Sequence, residues 1–202
     1  MTDPGDAASA PRGHYAKGLE RREAILRTTL ELFAQHGARG ASLRAIAREL
    51  EVSPALLQHY FGSREQLLQE AVAAWDADSR RLTEGRGVLA GWLRNIRRNV
   101  GIPGLVRVYA SSSVDASDPA HPSREFFAER YAHLTERLER EVREQQSAGL
   151  AAADLDPTRI ARLLIAGSEG LQIRWLHDDG FDMAEEFAAL VAALGLRVPD
   201  LD

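Results

Sequence analysis

Ser42-Leu43-Arg44-Ala45-Ile46-Ala47-Arg48-Glu49-Leu50-Glu51-Val52-Ser53-Pro54-Ala55-Leu56-Leu57-Gln58-His59-Tyr60-Phe61-Gly62-Ser63-Arg64-Glu65-Gln66-Leu67-Leu68 reads as two short helices joined by a tight turn, followed by the start of a third helix. Leu43, Ile46, Ala47 and Leu50 fall at i, i+3, i+4 and i+7, so the first helix has one apolar face, with Arg44, Arg48 and Glu49 outside it. Ser53 is placed to cap the second helix, and Pro54 suits the first helical position because it needs no amide partner there. Leu57 and Phe61 point back toward a core, which leaves Ala55, Gln58, His59 and Tyr60 displayed on about two turns of helix, short enough to lie in a major groove. Gly62 closes that helix. Ser63-Arg64-Glu65-Gln66 is a capping box that opens a longer amphipathic helix through Leu67, Leu68, Ala71, Val72 and Trp75. This is the plan of a helix-turn-helix that reads DNA.

The 202 residues allow one domain or two small ones. Cysteine is absent, which removes disulfides, thiolate metal sites and a cysteine nucleophile, and suits a reducing compartment. Residues 1–18, rich in Ala, Gly, Pro and Asp, are expected to be a mobile tail without the apolar core of a signal peptide. No run elsewhere is long enough to span a membrane, so the expected location is cytoplasmic and no membrane partner is expected. The net charge of −5 is unevenly spread. Between residues 12 and 64, nine basic side chains (Arg12, Lys17, Arg21, Arg22, Arg27, Arg39, Arg44, Arg48, Arg64) outnumber Glu20, Glu23, Glu31, Glu49 and Glu51, giving that segment +4 and the remainder −9. A basic head on an acidic body fits a head that meets phosphate, although ordinary scatter of surface charge gives the same tally.

The rest of the chain reads as helices. Ile25, Leu26, Leu30 and Phe33 mark a helix from about Leu19 to His36, ended by Gly37 and Gly40, which completes a three-helix head. The helix beginning at Arg64 runs to about Glu84, where Gly85 and Gly87 interrupt it. Further helices follow near Val88–Asn99 and through Leu105, Val108 and Tyr109. Ser117-Asp118-Pro119-Ala120-His121-Pro122 is a loop, because its prolines cannot sit inside a helix. Phe127, Tyr131, Leu134, Leu138 and Val142 then mark a long helix ended by Gly149, and Asp156-Pro157 caps another. The expected fold is all-α: a helix-turn-helix head at residues 19–66 and a body of about six helices at residues 67–202 for ligand binding and dimerisation.

Two apolar helices close the chain. Ile160, Leu164, Gly167 and Leu171 form a stripe on one, flanked by Leu163, Gly170 and Trp175, and Met183, Phe187, Leu190, Val191 and Leu194 lie on the next. These residues either pair with a second copy as a four-helix bundle or close the chain's own core. A dimer is favoured because one short helix reads few base pairs and a second copy doubles the site.

Residues 20–75 resemble the TetR family of bacterial transcriptional regulators. The resemblance is carried by Ile25-Leu26 through Phe33 to Gly37, by Ser42-Leu43-Arg44-Ala45-Ile46-Ala47, and by Val52-Ser53-Pro54 leading to His59-Tyr60-Phe61-Gly62-Ser63-Arg64-Glu65-Gln66-Leu67-Leu68. It implies a DNA-binding head, a helical effector-binding body and a homodimer built from the last two helices. Two positions depart from the family pattern. Glu51 stands where the turn usually has glycine and would have to adopt a left-handed or adjusted conformation. Gln58 replaces a common aromatic and offers adenine a bidentate hydrogen bond instead. The body is similar to that of the choline/betaine-pathway repressor group through Asp118-Pro119-Ala120-His121-Pro122, Phe126-Phe127, Arg130-Tyr131, Gly149-Leu150, Asp154-Leu155-Asp156-Pro157, Gly170-Leu171-Gln172 and Trp175-Leu176. Effector choice diverges widely among such bodies, so choline or betaine does not follow as the ligand.

No catalytic constellation is visible. The six histidines contain no i, i+4 pair, and Ser111-Ser112-Ser113 lacks the strand-turn-helix setting of a hydrolase nucleophile, so neither an enzyme nor a cofactor or metal is expected. The expectation is a repressor of transcription, released from a double-stranded, pseudo-palindromic operator by an unidentified small-molecule effector. A protein partner as the signal remains the alternative. Arg44 and Gln58 are placed to reach base edges, with Pro54 and Ala55 beside them. Ser42, Ser53, His59, Tyr60 and Arg64 are placed to hold phosphates, Tyr60 equally serving as core packing. Trp92, Tyr109, Phe126, Phe127, Tyr131 and Gln172 are the candidate pocket residues, aromatic surface with a few polar groups. Glu169 on its apolar helix either leans toward a cationic ligand or pairs with Arg162 or Arg174.

Overall fold

The computed structural model describes residues 18, 20–32, 42–82 and 87–198 of the chain. The expected tail, apart from Gly18, and the expected helix stops at Gly37, Gly40 and Gly85 lie outside them. The described residues form helices with no strand: α1 (20–32), α2 (Leu43–Glu49), α3 (Pro54–Phe61), α4 (Arg64–Leu82), α5 (Val88–Val100), α6 (Pro103–Asp115), α7 (Arg124–Ser147), α8 (Pro157–His177) and α9 (Met183–Ala193). The architecture is all-α.

Local chemistry sets the helix starts. Ser42 and Ser53 accept hydrogen bonds from the amides of Ala45 and Leu56, three residues on. The Ser63–Gln66 capping box is reciprocal: Gln66 N donates to Ser63 Oγ at 3.1 Å and Ser63 N donates to Gln66 Oε1 at 3.2 Å. Asp156 and Asp182 cap α8 and α9 in the same way, each accepting from two amides. α5 has no such residue at its start. Its first-turn amide at Leu89 instead donates to Glu141 Oε2 of α7, 52 residues away and buried.

Two apolar clusters form. In the first, Ile25, Leu26 and Leu32 of α1 pack with Ile46, Ala47, Leu57 and Phe61, and the cluster takes in Leu67, Leu68 and Ala71 of α4 and Val108 of α6. Ile46 and Leu57 are fully buried, a contribution of roughly 1.5–3 kcal/mol each. The head's apolar packing therefore extends past residue 66 into α4 and α6. The second cluster, formed by α5 to α9, contains Leu89, Leu93, Val106, Leu138, Leu164, Met183, Phe187 and Val191.

That second cluster takes up most of the residues expected at a dimer contact. Leu164, Phe187 and Val191 are 0 % exposed, Ile160 and Trp175 are also buried, and Leu171, Leu190 and Leu194 pack partly buried against the same cluster. Gly167 serves the same packing, since a Cβ there would stand 2.4 Å from Leu190 Cδ2, so its bare backbone lets α8 and α9 approach within one chain. Within the single chain the strongest apolar stripe is thus taken up by the chain's own core, with Leu171, Leu190 and Leu194 only partly covered.

Burial raises the Glu141 carboxyl above the usual carboxylate range, by more than the amides of Leu89 and Val88 lower it. The folded chain thus holds this proton more tightly than the unfolded chain. Glu141 contributes stability fully below its ordinary value of 4.5, and that contribution is lost as pH rises through the raised folded value. Urea unfolding between about pH 7.5 and about pH 5 should show the wild-type chain gaining stability relative to Glu141→Gln as pH falls. A constant difference would show that Glu141 is not the titrating group.

Candidate nucleic-acid interface and body cavity

The turn between α2 and α3 is closed by backbone bonds. Leu50 N donates to Ile46 O at 3.0 Å, and Val52 N donates to Ala47 O at 2.9 Å. This geometry places Glu51 at φ 53°, the only non-glycine residue with positive φ among the described residues. The departure at Glu51 is accommodated by strain rather than by a changed turn.

α2 and α3 together present one polar surface. Ser42, Arg44, Ser53, Pro54, Ala55, Gln58 and His59 are exposed there, while Leu57 and Phe61 face inward. The two cap serines spend a lone pair on the helix amides and keep their hydroxyl hydrogens for an outside acceptor. Tyr60 is half-buried against the head's apolar cluster and meets the His59 ring edge-on at 5.9 Å. Arg64 is half-buried, with Glu65 at 3.8 Å. Arg22, counted with the basic head, is an internal strut: its guanidinium sits 5.2 Å from the Phe61 ring centroid and pairs with Glu70 of α4.

α4 leaves this head and ends in the body. Trp75, expected in a buried stripe, is half-buried beneath the guanidinium of Arg98, 3.8 Å from its ring centroid, and Arg98 also pairs with Asp78 at 2.8 Å. Two residues before Asp78, Arg130 of α7 grips Asp76 with two bonds, Nε to Oδ2 at 2.6 Å and NH2 to Oδ1 at 3.1 Å.

From Arg130 a polar chain crosses the body. Its NH1 donates to the Tyr109 hydroxyl at 2.8 Å, its charge lies over the Tyr109 ring, and Tyr109 in turn donates to Glu169 Oε1 at 3.1 Å. The Tyr131 hydroxyl donates to the same oxygen. Burial opposes the Arg130 charge, but the bonds to Asp76 and the neighbouring Tyr109 outweigh it and hold its pKa above the ordinary guanidinium value. Burial is the main force raising the Tyr109 and Tyr131 hydroxyls, so both stay protonated donors at neutral pH.

This chain lies on the wall of a cavity of about 270 Å³ among α4 to α8. Of the sequence candidates, Trp92, Tyr109, Phe126 and Gln172 line it. Phe127 and Tyr131 do not. Phe127 is 4 % exposed, packed against the rings of Tyr109 and Phe126, because a neighbouring position on a helix faces about 100° away. Tyr131 is bonded to two residues of the wall, Glu169 and Tyr109. Glu169 takes neither Arg162 nor Arg174 as a partner. Asp76, Arg98 and Arg130 were not singled out from sequence. The acidic pair Asp76 and Asp78 on an otherwise apolar-faced α4 was the signal available. Among the described residues no group of three or more His, Asp or Glu could hold a metal ion, and no helix is long and apolar enough to cross a membrane.

Residues 25–71 match the sequence pattern of the bacterial regulatory proteins of the tetR family. The chain is 42 % identical over 66 residues to the HTH-type transcriptional regulator BetI of Agrobacterium fabrum, a match covering 32 % of each chain. It therefore spans about a third of the length of that curated relative. Two solved structures share the fold over most of the chain. Thermus thermophilus FadR, a repressor in complex with lauroyl-CoA, covers 89 % of this chain and 96 % of its own at 23 % identity and TM-score 0.56. A transcriptional regulator of Saccharomonospora viridis in complex with choline covers 86 % and 96 % at 24 % identity and TM-score 0.64.

Glycine at position 51 would remove a left-handed penalty of roughly 1–2 kcal/mol and return roughly 0.5–1 kcal/mol of backbone entropy to the unfolded chain. Glu51→Gly should stabilise the protein by about 0.5–1 kcal/mol in urea titrations, with the denaturant slope unchanged. A loss of stability would show that the Glu51 side chain contributes more than its backbone costs.

Proposed function

We propose, from a chain that residues 25–71 make a member of the tetR family of bacterial regulatory proteins, that it represses transcription by binding a pseudo-palindromic operator as a homodimer. A small molecule entering the body releases it. The observation that carries this reading is the exposed α2–α3 surface joined to the body cavity by α4. The capped start of α3 presents Gln58 and Ala55 outward on a helix short enough for a major groove, and Arg44 flanks them. Ser42, Ser53, His59, Tyr60 and Arg64 would hold phosphates around it. The relatives are named transcriptional regulators, and two neighbours of the same fold carry small-molecule ligands in their structures. The head of residues 19–66 and the body of residues 67–202 would share α4 as their mechanical link.

The dimer face is the weaker apolar side of α8. Leu163, Ala166, Gly170 and Ile173 are exposed at spacings of three, four and three, the repeat of a helix seam, and a Cβ on Gly170 would meet nothing within 4 Å. Arg159, Arg162 and Arg174 of α8 and Glu185 and Glu186 of α9 flank the seam, exposed. In a twofold arrangement each copy's arginines would face the other's glutamates.

Release would act through α4, which runs from the head's apolar cluster to the cavity wall. A ligand that binds better when the Asp76–Arg130 and Asp78–Arg98 ties are altered would change the spacing of the two heads.

Nuclease protection on DNA flanking the protein's own gene would locate the operator. There Arg44→Ala should cost roughly 1–3 kcal/mol and relax one base position, while Arg64→Ala should weaken all sequences alike and flatten the salt dependence. Unchanged binding by Arg44→Ala rejects the base contact. Leu163→Glu combined with Ile173→Glu should give a folded monomer in light scattering that no longer protects the operator. A dimer that survives both changes places the interface elsewhere.

A further inference from the structure

Glu169 carries one oxygen that the protein does not use. Tyr109 and Tyr131 both donate to Oε1, and among the described residues Oε2 accepts no hydrogen bond and no Lys or Arg stands within ion-pairing distance. Glu169 is half-buried, and the side chains bonded to it are the neutral hydroxyls of Tyr109 and Tyr131. Of the other ionisable groups on the cavity wall, Asp76 and Arg130 neutralise each other, Arg137 has Glu141 as an electrostatic neighbour, and His133 and Glu129 are exposed, Glu129 adding a further negative charge. The same cavity is lined by the rings of Trp92 and Phe126, which present negative faces as well as apolar surface, and by Tyr109, over whose ring Arg130 lies.

We infer that the cavity takes a small organic cation, its ammonium group against Glu169 Oε2 and its apolar part between Trp92 and Phe126. An anionic ligand would meet the carboxylate of Glu169, while Arg130 is already committed to Asp76 and Tyr109. The volume of about 270 Å³ lies at the small end of ligand sites, which fits a compact amine better than a long acyl chain. A cation at Oε2 also acts on α4. It draws on the carboxylate that orients Tyr109, and Tyr109 orients the arginine that holds Asp76.

This inference rests on reading the body as the effector-binding part, and it is tested without DNA, so its failure leaves operator binding to be judged separately. The full chain is titrated with benzylamine and benzyltrimethylammonium, and with benzyl alcohol and benzoate as neutral and anionic controls, by calorimetry and by Trp fluorescence. Both cations should saturate one site, and the alcohol and benzoate should bind about tenfold more weakly or less. Glu169→Gln should weaken the cations by about tenfold and leave the alcohol unchanged, with the melting temperature checked in parallel. Equal binding of cation, alcohol and benzoate overturns the assignment, as does unchanged cation affinity in Glu169→Gln or the absence of saturable cation binding at millimolar concentration. Should Glu169→Gln fold poorly, the comparison of ligands on the wild-type chain decides.

Discussion

The paired hydrogen bonds between Arg130 and Asp76 hold α4 to the body about one and a half turns beyond Ala71, the last α4 residue buried in the head's apolar cluster. Leu67, Leu68 and Ala71 commit its first turns to the head, and Val108 of α6 joins them there, while Val106 of the same α6 belongs to the core of the body. Packed apolar surfaces do not deform gradually, so a shift of α4 at Asp76 must either carry the head with it or open a void around Val108. A bidentate, partly buried pair is well suited to that position because it specifies both distance and angle.

What the sequence made legible was local chemistry. Ser53-Pro54, Ser63–Gln66 and Asp156-Pro157 each start a helix through bonds to amides two or three residues away, and no distant partner is needed to predict them. The strain at Glu51 was legible for the same reason, since a tight turn fixes its own dihedrals. Destinations were less legible than patterns. The stripe through Ile160, Leu164 and Trp175 shows which face of α8 is most apolar, but not whether the chain's own α9 or a second copy covers it. Phe126 and Phe127 are equally aromatic, yet one lines the cavity and the other fills the core, a distinction set by helix phase relative to α6. Asp76–Arg130 spans 54 residues and Glu141 caps α5 from 52 residues away. Neither pairing leaves a local trace, because charged residues on amphipathic helices are ordinarily solvent-facing.

The polar chain from Asp76 to Glu169 shows why a helical body would place such groups in its interior rather than fill the space with leucine. Hydrophobic residues of similar volume would be at least as stabilising as a buried ion pair, so stability does not account for the arrangement. What it supplies is a set of bonds whose strengths depend on one another. Tyr109 donates to Glu169 while accepting from Arg130, and a change in the charge seen by Glu169 therefore alters the tyrosine's value to the arginine. Such a chain has few satisfactory arrangements, which favours discrete states over a continuum.

Discrete states are what a ligand needs in order to act at a distance. A molecule that fills the cavity equally well in both positions of α4 shifts nothing, however tightly it binds. Shape alone discriminates poorly here, because Trp92, Phe126 and Ile96 belong to α5 and α7 and keep their places whichever way α4 lies. The α4 side of the cavity is Val72, Ala73, Trp75, Asp76 and Ser79, and of these only Asp76 carries charge. The difference in affinity between the two states must therefore come largely through the Asp76–Arg130 pair. A full switch, from about 1 % to about 99 % released, asks for roughly 5.5 kcal/mol of such difference. One partly buried charge-assisted bidentate pair, each of its two bonds worth roughly 1.5–3 kcal/mol, supplies from about half of that to all of it. Two copies acting on one operator would close the gap, since a dimer that loses register at either head loses the site.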